Sequence, residues 1–143
     1  MLPIRHVLCA TDLNGNSRRA FDAATTVAKA TDATLVILHV SRAPDARLDA
    51  PTTERLRKRA RARDLKRLQK LSAQARRRGV TAAVLLRDGE PGDQIVRAGR
   101  AARVDLIVMG THGRRGLKRL YLGSVARHVA ASAPCPVMTV RGS

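Results

Sequence analysis

The chain has 143 residues, a formal net charge of +17, 44% hydrophobic residues and no Trp. At this length a single domain, residues 1–143, can bury roughly 70% of its unfolded surface, and the hydrophobic share argues against a disordered chain. With one Tyr and one Phe, it also lacks the aromatic platforms on which most single-strand nucleic-acid binders stack bases.

Ile4 to Ala10 (IRHVLCA) reads as a buried strand. It stops at the polar turn 11–16, where Asn14 and Asn16 are helix N-cap candidates. A helix follows from Ser17 to Ala30, with Ala20, Ala24, Val27 and Ala28 on one face. Ala33 to Val40 (ATLVILHV) is near-continuously apolar, as a strand covered on both faces must be. Residues 41–51 are loop-like, with two prolines. Thr52 to Arg78 forms a long charged helix whose apolar stripe is Leu56, Ala60, Leu65, Leu68, Leu71 and Ala75, closed by Gly79. Val80 to Leu86 is a third strand. After the turn 87–92, Pro91 opens a helix to Ala102. Val104 to Met109 is a fourth strand, 124–131 a helix, and Val137 to Val140 a fifth strand beyond Pro134-Cys135-Pro136.

Strands alternating with helices give an α/β fold, an open, doubly wound five-stranded parallel sheet with four helices. Cys9 and Cys135 lie in apolar, strand-like stretches without metal-ligand or redox spacing and read as buried free thiols. The opening residues enter a strand without a signal segment, and no apolar run approaches the roughly 20 residues of a membrane span. The expectation is a cytoplasmic protein.

Ligands of such sheets bind outside the carboxyl ends of the strands, where strand order reverses. That places Asp12, Val40 with Ser41, and the segment MGTHGRRGLKRLYLGS (109–124) at one site. Its glycines let backbone N–H groups approach an anion, and a helix starting at Ser124 adds unpaired N–H groups and a positive dipole end. The loop is no Walker A motif, because Gly-Lys-Ser/Thr is absent, and its G-x-x-G-x-x-G spacing is not a dinucleotide fingerprint. Arg114, Arg115, Lys118 and Arg119 face either phosphate or solvent. His112 is a proton-donor candidate or a solvated loop residue, and His39 reads as a satisfied core histidine. Asp12 either closes a turn or faces a ligand. In the second case a divalent cation must relieve its repulsion of phosphate.

Gly110-x-x-Gly113, nine residues, then Gly123-Ser124 resembles the G-x2-G-x9-G-[S/T] signature of the universal stress protein family, in its ATP-binding branch. The likeness extends from the strand ending at Asp12, through ATLVILHV, to the closing PCPVMTVR. It implies a Rossmann-like sheet of strand order 3-2-1-4-5 and an ATP site. Asp12 would meet the ribose or a phosphate-bound Mg²⁺ or Mn²⁺, and Val40 would offer its backbone to adenine. Met109 and Gly110 would line the pocket, with Gly113, Gly123, Ser124 and Val125 around the phosphates. The family often has a serine two residues after the aspartate, where this chain has Asn14. The resemblance also implies a homodimer through the last strand, 137–140, and a stress-linked regulatory role.

No residue is assigned to catalysis. Glu90 follows the third strand, at the far side of the implied order, so hydrolysis or autophosphorylation at Ser124 or a nearby Thr is at most slow. A different reading comes from the twelve basic residues against Glu54 and Asp64 between Thr52 and Arg78. That helix is either a solvated face or a surface for nucleic acid or an acidic partner.

Overall fold

A computed structural model describes residues 3–42, 47–111 and 123–142. The strands are β1 (His6–Ala10), β2 (Thr34–Ser41), β3 (Ala82–Asp88), β4 (Leu106–Gly110) and β5 (Val137–Val140). The helices are α1 (Arg18–Thr31), α2 (Ala50–Arg77), α3 (Pro91–Ala101) and α4 (Ser124–Ser132), with a 3-10 turn at Gly15–Ser17. All pairings are parallel and the sheet order is β3-β2-β1-β4-β5, as the sequence implied.

Alternation along the strands feeds two cores. Val7 and Cys9 of β1 join Leu35, Ile37 and Val108 against Phe21 and Ala24 of α1 and Leu68 and Ala75 of α2. Leu8 faces the other way, with Leu38, Ile107 and Met109, against Ile95 and Val96 of α3 and Val129 of α4. Burial pushes the Cys9 thiol up to about 12, and Cys135 is likewise raised by burial. Neither is disulfide-bonded, and only Cys9 is the buried strand residue expected, since Cys135 is half-buried and lies ahead of β5.

Three strands begin later than the apolar pattern suggests, and for one reason. After α2, Gly79 sits at φ +85°, its N–H donates to the Arg76 carbonyl at 2.9 Å, and the Val80 N–H reaches back to the Ala75 carbonyl at 3.1 Å. This is a Schellman closure, which spends one apolar residue on the helix end. Asp32 (φ 56°) with Ala33, and Arg103 (φ 52°) with Val104, close α1 and α3 in the same way. Ala33, Val80 and Val104 are therefore buried beneath helix ends and are not strand residues. β1 also starts late, because the Asp105 carboxylate takes the N–H groups of Arg5 and His6.

The stripe of α2 needs correction too. Leu68 and Ala75 are buried, but Leu56 and Leu65 are exposed, and Asp64 and Ser72 occupy buried positions. Asp49 caps this helix by accepting from the Thr52 N–H at 2.7 Å. Among the described residues no helix is long and apolar enough to cross a membrane.

Candidate functional site

β1 ends first, Ala10 lying opposite both Leu38 and Met109, while β2 runs on to Ser41 and β4 to Gly110 on either side of it. β2 and β4 flank β1, and the chain winds away from it in both directions, so the order reverses here. A cleft of about 720 Å³ opens above these ends. Asp12, Val40, Met109, Gly110, Gly123, Ser124 and Val125 all line it. Gly113 lies outside the described residues, as do His112, Arg114, Arg115, Lys118 and Arg119.

Two helices present their N-termini to this cleft, and they differ in one respect. At α3 the Glu90 side chain accepts from the N–H groups of Asp93 (2.7 Å) and Gly92 (3.1 Å). Those bonds, chiefly the one from Asp93, hold its carboxyl below the usual glutamate range. At α4 the capping residue is Gly123, which has no side chain to offer, so Ser124 is the first helical residue and not the cap. The first bond within α4 is from the Arg127 N–H to the Gly123 carbonyl. The N–H groups of Ser124, Val125 and Ala126 thus have no acceptor among the described residues. Uncapped amides and the dipole of a nine-residue helix make an anion site.

Across the cleft, Asp12 Oδ1 accepts from the Asn14 N–H (3.1 Å) and the Ser17 hydroxyl (2.6 Å). Among the described residues Oδ2 is uncommitted, so the carboxylate closes its turn and still faces the cleft with one oxygen. Asn14 caps the 3-10 turn through its own side chain, accepting from the Asn16 N–H at 2.9 Å. Asn16 caps nothing, and α1 starts at Arg18 after Ser17.

The wall on the α2 side was not anticipated. His39 and Asp64 are buried and line the cleft with Arg63 and Ser41. His39 Nδ1 lies 2.8 Å from the Thr11 carbonyl, and Nε2 lies 3.6 Å from Asp64 Oδ2. The Ser41 hydroxyl donates to the same Asp64 oxygen at 3.3 Å. His39 is hydrogen-bonded and buried, as a core histidine should be, yet it also borders the cleft. A signal for Asp64 existed: it stands four residues before Leu68, on the buried stripe of α2, where a lone carboxylate is out of place.

The family model for the universal stress protein family matches residues 3–141. Universal stress protein YxiE of Bacillus subtilis is 34% identical over 144 residues, covering 94% of this chain and 97% of the relative. Among solved structures, MJ0577 superposes with a TM-score of 0.90 over 99% of both chains, at 21% identity, a likeness of fold. A universal stress protein solved in complex with cAMP superposes at 0.72 over 99% of this chain and 100% of the other, at 25% identity.

Proposed function

The chain belongs to the universal stress protein family, and from that premise we propose that it is a cytoplasmic, ATP-binding regulator of a stress response. The observation that carries the reading is the contrast between α3, whose amides are filled by Glu90, and α4, whose amides are open beside Gly110 and Ser124. The open end of α4 takes phosphates through the amides and hydroxyl of Ser124 and the amides of Val125 and Ala126. Gly110, Gly123 and the loop carrying Gly113 allow close approach. The uncommitted oxygen of Asp12 meets the ribose hydroxyls or a Mg²⁺ or Mn²⁺ brought in with the phosphates. Val40 and Met109 border the base. The relative solved with cAMP supports an adenine nucleotide as the ligand class.

The site is built to hold a nucleotide and not to turn it over quickly. Phosphoryl transfer needs a base or carboxylate that positions the attacking group. Of the carboxylates in the cleft, Asp12 is tied to its turn through Oδ1 and Asp64 is held by His39 and Ser41, while Glu90, the cap of α3, is committed to two amides. Occupancy therefore acts as the signal, relayed through a homodimer joined at β5.

Displacement of a fluorescent ATP analogue by ATP, ADP, AMP and cAMP tests the reading. Displacement by ATP at micromolar concentration supports it, and failure of all four adenine nucleotides to displace the analogue would refute it.

One observation favours a second reading, in which α2 binds a polyanion. No residue from 50 to 63 is buried. Arg59, Lys66, Lys70 and Arg77 share one face and have no partner among the described residues. Binding of a duplex oligonucleotide that weakens steeply with salt, and does so regardless of ATP, would support this use. Salt-insensitive or absent binding would leave α2 a solvated face.

A further inference from the structure

The register of β1 and β2 calls for a hydrogen bond that is missing. Ala10 stands opposite Leu38, and the Thr11 N–H donates to the Leu38 carbonyl at 2.9 Å. In a parallel ladder the next bond runs from the Val40 N–H to the Thr11 carbonyl. It is not formed. The Thr11 carbonyl instead holds His39 Nδ1 at 2.8 Å. Because a carbonyl can only accept, Nδ1 carries the hydrogen.

Backbone groups along a strand point to alternate sides. Ser41 faces β3, since its carbonyl accepts from the Gly89 N–H at 2.9 Å, so Val40 faces the other way, as Leu38 does. Its N–H and C=O aim past the end of β1, into the cleft that Val40 lines. Asp64, 3.6 Å from His39 Nε2 and steadied by the Ser41 hydroxyl, holds the ring in this orientation.

We propose that His39 is a positioning residue of this site: by drawing the Thr11 carbonyl onto its Nδ1–H, away from the ladder direction, it leaves Val40 with an open donor–acceptor pair that selects adenine over guanine. The inference rests on the nucleotide reading above. Adenine offers an acceptor, N1, beside a donor, the N6 amino group, which complement the Val40 N–H and C=O. Guanine presents a donor at N1 and an acceptor at O6, the reverse order. Turning the base over would carry its ribose away from Asp12 and its phosphates away from α4.

Two measurements test this separately. The first is amide hydrogen exchange at Val40 in nucleotide-free protein. The second is the ratio of ATP to GTP affinity, in the wild type, His39→Leu and His39→Asn. Leucine releases the Thr11 carbonyl to the Val40 N–H, whereas the Asn amide can replace Nδ1–H. The Val40 amide is expected to exchange freely in the wild type, to become protected in His39→Leu and to be freed again in His39→Asn. The ATP preference is expected to fall about tenfold in His39→Leu, the worth of one hydrogen bond, and to return in His39→Asn. A protected Val40 amide in the wild type, or an unchanged ATP-to-GTP ratio in His39→Leu, would overturn the role of His39 while leaving nucleotide binding intact. A wild type that binds neither nucleotide would overturn base selection together with the nucleotide reading, whatever Val40 exchange shows.

Discussion

The Gly123 N–H donates to the Thr111 carbonyl at 2.6 Å. This one bond pins the start of α4 to the end of β4, although residues 112–122 run between them. It keeps Gly110 and Ser124 on one wall of the cleft whatever path that loop takes. The anion site is therefore a property of the sheet and α4 first.

Ser124→Glu separates binding from folding. A carboxylate in the first turn of α4 suits the helix dipole, worth about 0.3–1 kcal/mol, so stability should be unchanged or slightly raised. The same carboxylate occupies the place proposed for phosphate, and ATP affinity should fall by about 100-fold or more, the cost of a misplaced charge. Thermal melts and nucleotide titration of the same sample check both halves.

His39 and Asp64 should be coupled. His39→Leu leaves a buried carboxylate facing a hydrocarbon side chain and should cost about 3 kcal/mol. Asp64→Leu leaves a histidine that keeps its bond to the Thr11 carbonyl, and should cost less. The double variant should lie closer to the wild type than His39→Leu does. Urea unfolding of the four proteins measures the cycle, and additive losses would show that the pair is not coupled.

Acid should loosen the N-terminus of α3. Glu90 has its carboxyl lowered first by the Asp93 N–H, aided by the Gly92 N–H. Asp105 is lowered first by the Arg5 N–H and then by that of His6. A group lowered in the folded state stabilises above its unfolded pKa, and that stability is lost as pH falls through the folded value. Unfolding midpoints should therefore drop once pH passes below the ordinary carboxylate range. Glu90→Ala should cost about 1 kcal/mol at neutral pH, as caps do, and should flatten the acid decline. An acid decline as steep as that of the wild type would show that Glu90 does not contribute.

The proposed dimer has a single-residue test. The Pro136 and Val140 carbonyls accept from Ile107 of β4 and from Thr111 just past its end, both at 3.0 Å, so Thr139 points its N–H away from the sheet. Thr139→Pro removes that outward donor without touching the β4 ladder, which an edge strand tolerates. Sedimentation should show a wild-type dimer and a folded, monomeric variant. A variant that still dimerises would place the interface elsewhere.

Much of this architecture could be read from residue types, because apolar strands alternating with amphipathic helices admit few layouts. The errors cluster at helix ends. Ala33, Val80 and Val104 look like strand residues by hydropathy, yet each is consumed by a closure whose left-handed residue is Asp32, Gly79 or Arg103. Only Gly79 announces itself. At the site, Asp12, Gly110 and Ser124 carry local signals. The parts played by His39 and Asp64 depend on α2 docking across β2, a contact no local pattern contains.

Isothermal titration of Mg²⁺-ATP into protein stripped of nucleotide by unfolding and refolding tests the central claim most directly. The account predicts saturable micromolar binding with one ATP per chain, lost in Ser124→Glu. No heat of binding to the refolded wild type, or equal binding by the variant, would contradict it.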